Sequence, residues 1–295
     1  MPIKHILLCL LVVVIWGINF IFVKLSLNEF SPLCLCALRF LLASIPAIFF
    51  IKPPEMPFKL VVLYGLIMFA LQFSFLFMGM YVGMTPGMAS LIMQVQVFFS
   101  MFFATLVLGD KPTISQVVGS LVSFTGIGLV AFHFDQYVSF LGFILILLAA
   151  ASWGMGNLIT KKTHNIRMLS LVVWGCFIAS IPMLGLTLIF EGPVSMINSY
   201  HHITWVGVLS LFYIVAASTW IGYGIWGWLI ARHPIGQVVP FTLLVPVVGM
   251  LGSTIILGEE FQSWKLMSGL LVMSGLYINL AGSRWFKVKA PQAAF

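Results

Sequence analysis

The stretch WGINFIFVK at residues 16–24 returns as WGMGNLITK at 153–161, with Trp, Gly and Lys in register. Two more echoes follow in the same order. ASIP occurs at 43–46 and 179–182, and LGDKPTISQVVGSLVSFTG at 108–126 is answered by LGEEFQSWKLMSGLLVMSG at 257–275. Ordered self-similarity of this kind marks a duplicated architecture. The offset grows from 137 residues (16 to 153) to 149 (108 to 257), which places the extra residues of the second copy in the polar stretch EGPVSMINSYHHIT at 191–204.

The duplicated unit is built of apolar runs. The chain of 295 residues is 61% hydrophobic and only 7% charged, against about 25% charged for an ordinary soluble domain. Runs of helical, membrane-spanning length recur between short polar breaks. Ten are predicted, at 5–25, 33–52, 58–82, 86–108, 113–133, 138–160, 169–190, 203–231, 235–257 and 263–284. They are apolar all round, without the alternation of a membrane β-barrel, so the expected class is an all-α integral membrane protein. The first run continues from MPIKHILLCLLVVV into WGINFIFVK without a small-residue cleavage site, and is read as a retained helix rather than a signal peptide.

Five runs per copy is an odd number, so the second copy must enter the membrane from the opposite side. The expected organisation is therefore two inverted five-helix repeats, 1–135 and 136–295, an arrangement recurrent in secondary transporters. The net charge of +7 is spread along the chain rather than clustered, which argues against nucleic acid as a partner. With both termini cytoplasmic, eleven of the fourteen basic residues fall on the inner side and only Lys24, Arg39 and Lys265 toward the outside, as the positive-inside rule requires.

These features resemble the drug/metabolite transporter superfamily, and within it the EamA-type ten-helix exporters, over the whole chain. The resemblance rests on the two five-helix halves, the early Trp-Gly of each, the pair Arg39-Phe40, and the Leu-Gly-acid ends of the fourth and ninth runs. It is strongest toward bacterial exporters of O-acetylserine and cysteine, through WGINFIFVK, ALRF, PAIFF, QVQVFF, YGIWG, LLVPVVG and GLYIN. The resemblance implies an exporter of small metabolites in the bacterial inner membrane, working by alternating access.

Residues present in both halves are expected to serve the scaffold, and those in one half to meet an asymmetric substrate. Trp16 and Trp153 lie near mid-run rather than in the interfacial belt. Asn19 and Asn157, three and four residues later, share their faces; helix packing and cavity lining both fit these four. Arg39 sits about two turns into the second run, and its repeat counterpart is Gly175. A charge near a helix centre costs about 2.5–3.5 kcal/mol and marks a function or a dedicated partner. It could orient a substrate carboxylate or bond to backbone carbonyls. Gln94 and Gln96 face Leu243 and Val245 in the other copy, and on a regular helix point about 200° apart. Gln94 is expected to line the cavity and Gln96 to bond a neighbouring helix. Gln72 is a third buried amide and a plausible partner for them. Trp220 and Tyr223, in STWIGYGIWGW, form an aromatic stripe that packs helices or walls a cavity.

All seven acidic residues and six histidines fall in loops or at run ends. That leaves no metal-ligand cluster, no nucleophile with a base and no cofactor motif, so neither an enzyme nor a metal site is expected. The absence of an interior carboxylate disfavours proton-driven efflux of cationic drugs and favours a neutral or zwitterionic amino acid. Export of another metabolite class, a passive channel and an intramembrane enzyme acting on lipid-linked substrates are the alternatives. The four cysteines read as small buried hydrophobes. Small residues in the fifth run (Gly119, Ser123, Gly126) and the tenth (Ser268, Gly275, Gly282) suit packing within a monomer or across a homodimer.

Overall fold

The computed structural model describes residues 1–109, 113–132, 139–161, 166–194, 197, 203–233, 238–260 and 262–285. Among these, no strand occurs and the chain runs as a succession of helical rods. They are α1 (Ile3–Ser26), α2 (Pro32–Ile48), α3 (Phe58–Tyr64, Gly65–Leu71, Gln72–Tyr81), α4 (Pro86–Ile92, Met93–Val95, Gln96–Leu108), α5 (Ile114–Ala131) and α6 (Phe140–Lys161). The chain continues through α7 (Met168–Leu186, Thr187–Glu191), α8 (Trp205–Phe212, Tyr213–Gly222, Tyr223–Arg232), α9 (Val239–Leu244, Val245–Leu257) and α10 (Ser263–Trp285). Six of these, α1, α3, α4, α6, α7 and α8, are long and apolar enough to cross a membrane, and α2, α5 and α9 carry shorter apolar helices. The expected division at 135/136 lies outside the described residues.

Local chemistry sets the ends. Proline occupies the first turn of α2 and α4, where its missing N–H costs nothing. Thr113 and Gln116 close a reciprocal capping box on α5, with Thr113 N donating to Gln116 Oε1 at 2.7 Å. Gly109 and Gly258 end α4 and α9 with φ of +71° and +66°, a left-handed cap that glycine supplies without strain. These two glycines are the Leu-Gly ends noted in the sequence, 149 residues apart.

Two runs differ from expectation, both because of proline. α2 stops at Ile48 instead of reaching 52, since Pro53 disfavours helix at Lys52 and its ring would strike a carbonyl one turn back. α9 opens as a tight 3₁₀ segment at Val239–Leu244, because Pro246 removes an N–H that a continuous α-helix needs; residues 234–237 of that predicted run lie outside the described residues. Irregular winding recurs elsewhere. Gly65–Leu71 of α3 and Tyr213–Gly222 of α8 are π-helical, and Met93–Val95 of α4 is 3₁₀.

The rods pack in a consistent pattern. α3 and α4 both lie against α6, and α8 and α9 both lie against α1. α2 pairs with α7, α5 with α10, and the first part of α4 with the second part of α9. Glycines permit the closest approaches. A Cβ on Gly17 of α1 would meet Val248 Cβ of α9 at 2.6 Å, and one on Gly154 of α6 would meet Phe99 Cβ and Ser100 N of α4 at 2.8 Å. The small residues of α5 and α10 are spent inside the fold, where Ser123 Oγ donates to Val272 O at 2.9 Å and Ser268 Oγ to Gly126 O at 2.7 Å. All four cysteines are free and buried.

Because Gly17 and Gly154 admit no Cβ, Gly17→Ala and Gly154→Ala should each destabilise the protein by about 1–3 kcal/mol through overpacking. Gly128→Ala, at a position where a Cβ meets nothing within 4 Å, should not. Thermal unfolding in detergent checks the contrast, and equal midpoints for all three variants would refute it.

Candidate functional site

Arg39 is a charge buried in the interior. Its side chain, 2% exposed, leaves α2 and lies flat over Phe73 of α3, with Cζ 3.9 Å from the ring centroid and Phe40 and Phe77 at 5.8 and 5.9 Å. Such stacking is worth about 2 kcal/mol when desolvated. Nη2 donates to Thr219 Oγ1 of α8 at 3.3 Å, and that hydroxyl donates to Ile214 O at 2.9 Å. Nε and Nη1 have no partner, and no carboxylate pairs with Arg39 among the described residues. The guanidinium is neither snorkelling to water nor bonded to a helix-end carbonyl.

The acidic residues near this part of the fold are spent elsewhere. Glu191, at the end of α7, accepts from Leu33 N at 2.9 Å, Cys34 N at 3.0 Å and the Ser31 hydroxyl, so it caps α2. Glu29 accepts from Thr204 N at 2.8 Å and from the Thr204 hydroxyl at the start of α8. Each carboxylate compensates the positive end of a helix dipole.

The aromatic candidates divide between anchoring and open roles. Trp16 Nε1 donates to Ser218 O at 3.2 Å and Trp220 Nε1 to Ala43 O at 2.9 Å, so both indoles tie α8 to its neighbours. Tyr223 is the ring that joins the elements. It lies 5.3 Å from Trp16 of α1 and 6.3 Å, edge-on, from Phe69 of α3. Trp153 is partly buried against the core. Thr219, which sequence reasoning did not single out, is the one side chain among the described residues that hydrogen-bonds Arg39; a hydroxyl in an apolar run carries no periodic signal that would reveal it.

The amides also separate. Asn157 Nδ2 of α6 donates to Gln96 Oε1 and to Ser100 Oγ of α4, both at 3.0 Å. Gln96 thus bonds a neighbouring helix as expected, and the Asn157 amide is the group it meets there. Gln94, 7% exposed, sits in the 3₁₀ turn that breaks the α-helical winding just before Gln96. Gln72 does not join the glutamines. It is 0% exposed with neither amide atom bonded, and Asn19 has its Oδ1 without a partner. Donors on Arg39 and acceptors on Asn19 and Gln72 are therefore unsatisfied in the same apolar interior, where an unmet polar group is costly.

Comparison with known proteins agrees with this construction. A family model described as the EamA-like transporter family matches residues 3–132 and 140–281. The chain is 40% identical to a protein of Escherichia coli named "probable amino-acid metabolite efflux pump", over 95% of this chain and 96% of that protein. A protein of the same name in Salmonella typhimurium is also 40% identical, over 94% and 95%. A "probable terminal-alkyne amino-acid exporter" of Streptantibioticus cattleyicolor is 23% identical over 64% and 62%. One solved crystal structure, 14% identical, superposes with a TM-score of 0.69 over 97% of this chain and 100% of that one, and shows the same fold.

The amide network has a measurable signature. Gln96→Leu should cost about 0.6 kcal/mol, the usual worth of an interhelical bond in a membrane protein. Asn157→Leu should cost about 1 kcal/mol by leaving the half-buried Gln96 carbonyl without its partner. Combining the two should cost less than their sum. A double-mutant cycle on thermal stability measures this, and strict additivity would rule the coupling out.

Proposed function

Since this chain belongs to the EamA-like transporter family, we propose that it is a secondary exporter of amino acids and related small metabolites bearing a free carboxylate, cysteine and O-acetylserine among them. The names of its relatives in Escherichia coli and Salmonella typhimurium support the substrate class. The observation that carries the reading is the unpaired Arg39. A desolvated guanidinium with Nε and Nη1 free is suited to a carboxylate, which accepts charge-assisted N–H bonds. The unmet acceptors Asn19 Oδ1 and Gln72 Oε1 are what an α-ammonium group requires. A zwitterion supplies both charges, and Tyr223, Trp16 and Gln94 offer further wall.

The architecture we infer is ten spans in two inverted repeats, 1–135 and 136–295. Several features support it. Exchanging each of the first five rods for its partner five places on turns the close pairs into one another: α3–α6 and α4–α6 become α8–α1 and α9–α1, while α2–α7, α5–α10 and α4–α9 map onto themselves. Gly17 against Val248 and Gly154 against Phe99 obey the same offsets of 137 and 149 residues that the sequence carries. The π segments of α3 and α8, and the 3₁₀ segments of α4 and α9, also coincide under the second offset.

Alternating access would then move α3, α4 and α6 against α1, α8 and α9, because each first helix packs on the opposite half. The start of α4 meets the end of α9, where a Cβ on Gly249 would lie 2.6 Å from Ser90 Oγ and one on Gly87 2.9 Å from Ser253 Oγ. Gln96–Leu108 instead leans on α6 and Val239–Leu244 on α1 and α10. With both termini cytoplasmic, the rods close at the outer end and part at the inner one.

Counterflow in proteoliposomes loaded with labelled amino acids is the test. Saturable exchange of O-acetylserine or cysteine is expected, and Arg39→Gln should weaken carboxylate-bearing substrates by about thirtyfold, roughly 2 kcal/mol, while sparing their amides. Equal loss for acids and amides would remove Arg39 from recognition, and exchange confined to sugars or nucleosides would end the substrate assignment.

A further inference from the structure

The ends of α1 and α8 meet in a cluster that the substrate reading does not use. His5 Nδ1 lies 2.6 Å from His233 Nε2. Trp228 stands edge-on to His5 at 5.0 Å and carries Arg232 on its face, with Cζ 4.2 Å from the ring centroid. Trp228 is 37% exposed, Arg232 is exposed, and Lys4 precedes His5 in the first turn of α1. No carboxylate pairs with any of them among the described residues. A surface that gathers two imidazoles and a guanidinium around an indole, with Lys4 next in sequence and no carboxylate paired among the described residues, is short of negative charge.

The duplicated fold supplies an internal comparison. At the positions that the two offsets equate with His5, Trp228 and His233 stand Gly142, Gly79 and Met84. That crossing of α6 on α3 is closed by backbone. A Cβ on Gly142 would meet Gly79 O at 2.9 Å and Met84 Cβ at 3.2 Å. One end of the scaffold therefore uses glycines in contact, and its inverted counterpart holds the helices apart with basic and aromatic side chains. The scaffold itself does not need those groups.

We propose that His5, Trp228, Arg232 and His233 form a binding site for the phosphate headgroup of an anionic phospholipid. A phosphodiester accepts from the guanidinium and both imidazoles, and Trp228 lies just past the apolar span Trp205–Trp226, the place where interfacial tryptophans gather. The lipid is the occupant because the cluster lies at the ends of membrane-length helices, and basic residues there are drawn to anionic leaflets. His233 also gives binding a proton linkage. Desolvation, and then His5, the amino-terminal ammonium and Arg232, hold its pKa below the ordinary histidine range. A bound phosphate offsets the neighbouring positive charge and raises that pKa. Binding thus takes up a proton, and affinity grows as pH falls from about 8 to about 6.

Native mass spectrometry of the full chain, titrated with phosphatidylglycerol or phosphatidylcholine, tests this independently of transport. Phosphatidylglycerol should be retained more tightly, and more so at the lower pH. Arg232→Gln should weaken it on the order of fivefold, and His233→Gln should flatten the pH dependence. Arg167→Gln, at an exposed basic position beside α7, should change neither. Equal retention of the two lipids would overturn the proposal, as would a loss in Arg167→Gln matching that in Arg232→Gln. So would displacement of the lipid by glycerol phosphate at equal concentration, which would mark a soluble-phosphate site instead.

Discussion

The fold depends on two helix crossings at which no side chain fits. Gly17 brings α1 onto α9 and Gly154 brings α6 onto α4, each at under 3 Å for the Cβ that is missing. In a bilayer, helices gain nothing from hiding apolar surface from lipid, so association rests on dispersion and on how closely backbones approach. Each of these glycines follows a tryptophan whose bulk lies on another face: Trp16 reaches Tyr223, Trp226 and the Ser218 carbonyl of α8. One dipeptide thus fixes α1 against two helices at once. That gives a physical reason for Trp-Gly to recur at 16–17 and 153–154.

Under the two-repeat arrangement proposed above, the positions that differ between the halves are where polar side chains stand. Where α7 crosses α3, a Cβ on Gly65 would lie 2.8 Å from Gly175 O, so the backbones touch. At the equivalent crossing of α2 and α8, Arg39 replaces that glycine and reaches Thr219 and, through it, Ile214 O. The same place in the fold is sealed in one half and propped by a guanidinium in the other. The amides behave alike. Asn157, Gln96 and Ser100 satisfy one another, whereas the equivalents of Gln96 and Ser100 are Val245 and Gly249, which offer no side-chain partner to Asn19.

Helix type, the approximate extent of the runs and the echoes between halves were legible in the sequence because hydropathy and small-residue spacing report directly on lipid and backbone contact. The pairing of α1 with α8 and α9 was not, since nothing local says which half a helix packs against. Nothing local in the ninth run says that its start is wound as 3₁₀. Arg39 was visible as a charge in an apolar run, while its ring partners Phe73 and Phe77 were indistinguishable from any other phenylalanine. Gln72 read as a plausible partner of Gln94 and Gln96, which helical geometry already sets on different faces. The structure separates them, because a single helix places residues on faces that only the neighbouring rods define.

The irregular backbone gives these separate observations a common mechanical sense. The π segment Tyr213–Gly222 contains Thr219 and runs directly into Tyr223, and the 3₁₀ turn Met93–Val95 contains Gln94. Regular helix holds every N–H in a strong bond four residues back, whereas π and 3₁₀ turns use longer or tighter bonds and interconvert with α at small cost, which is why they gather at functional sites. Thr219 donates to the carbonyl five residues earlier, so its hydroxyl follows the π winding of α8. Rewinding that segment would shift the Thr219 oxygen, and with it the hydrogen bond that fixes Arg39 across from Phe73. The buried charge and the π segment of α8 are in this way joined through one hydroxyl, which accepts from Arg39 and donates to Ile214 O.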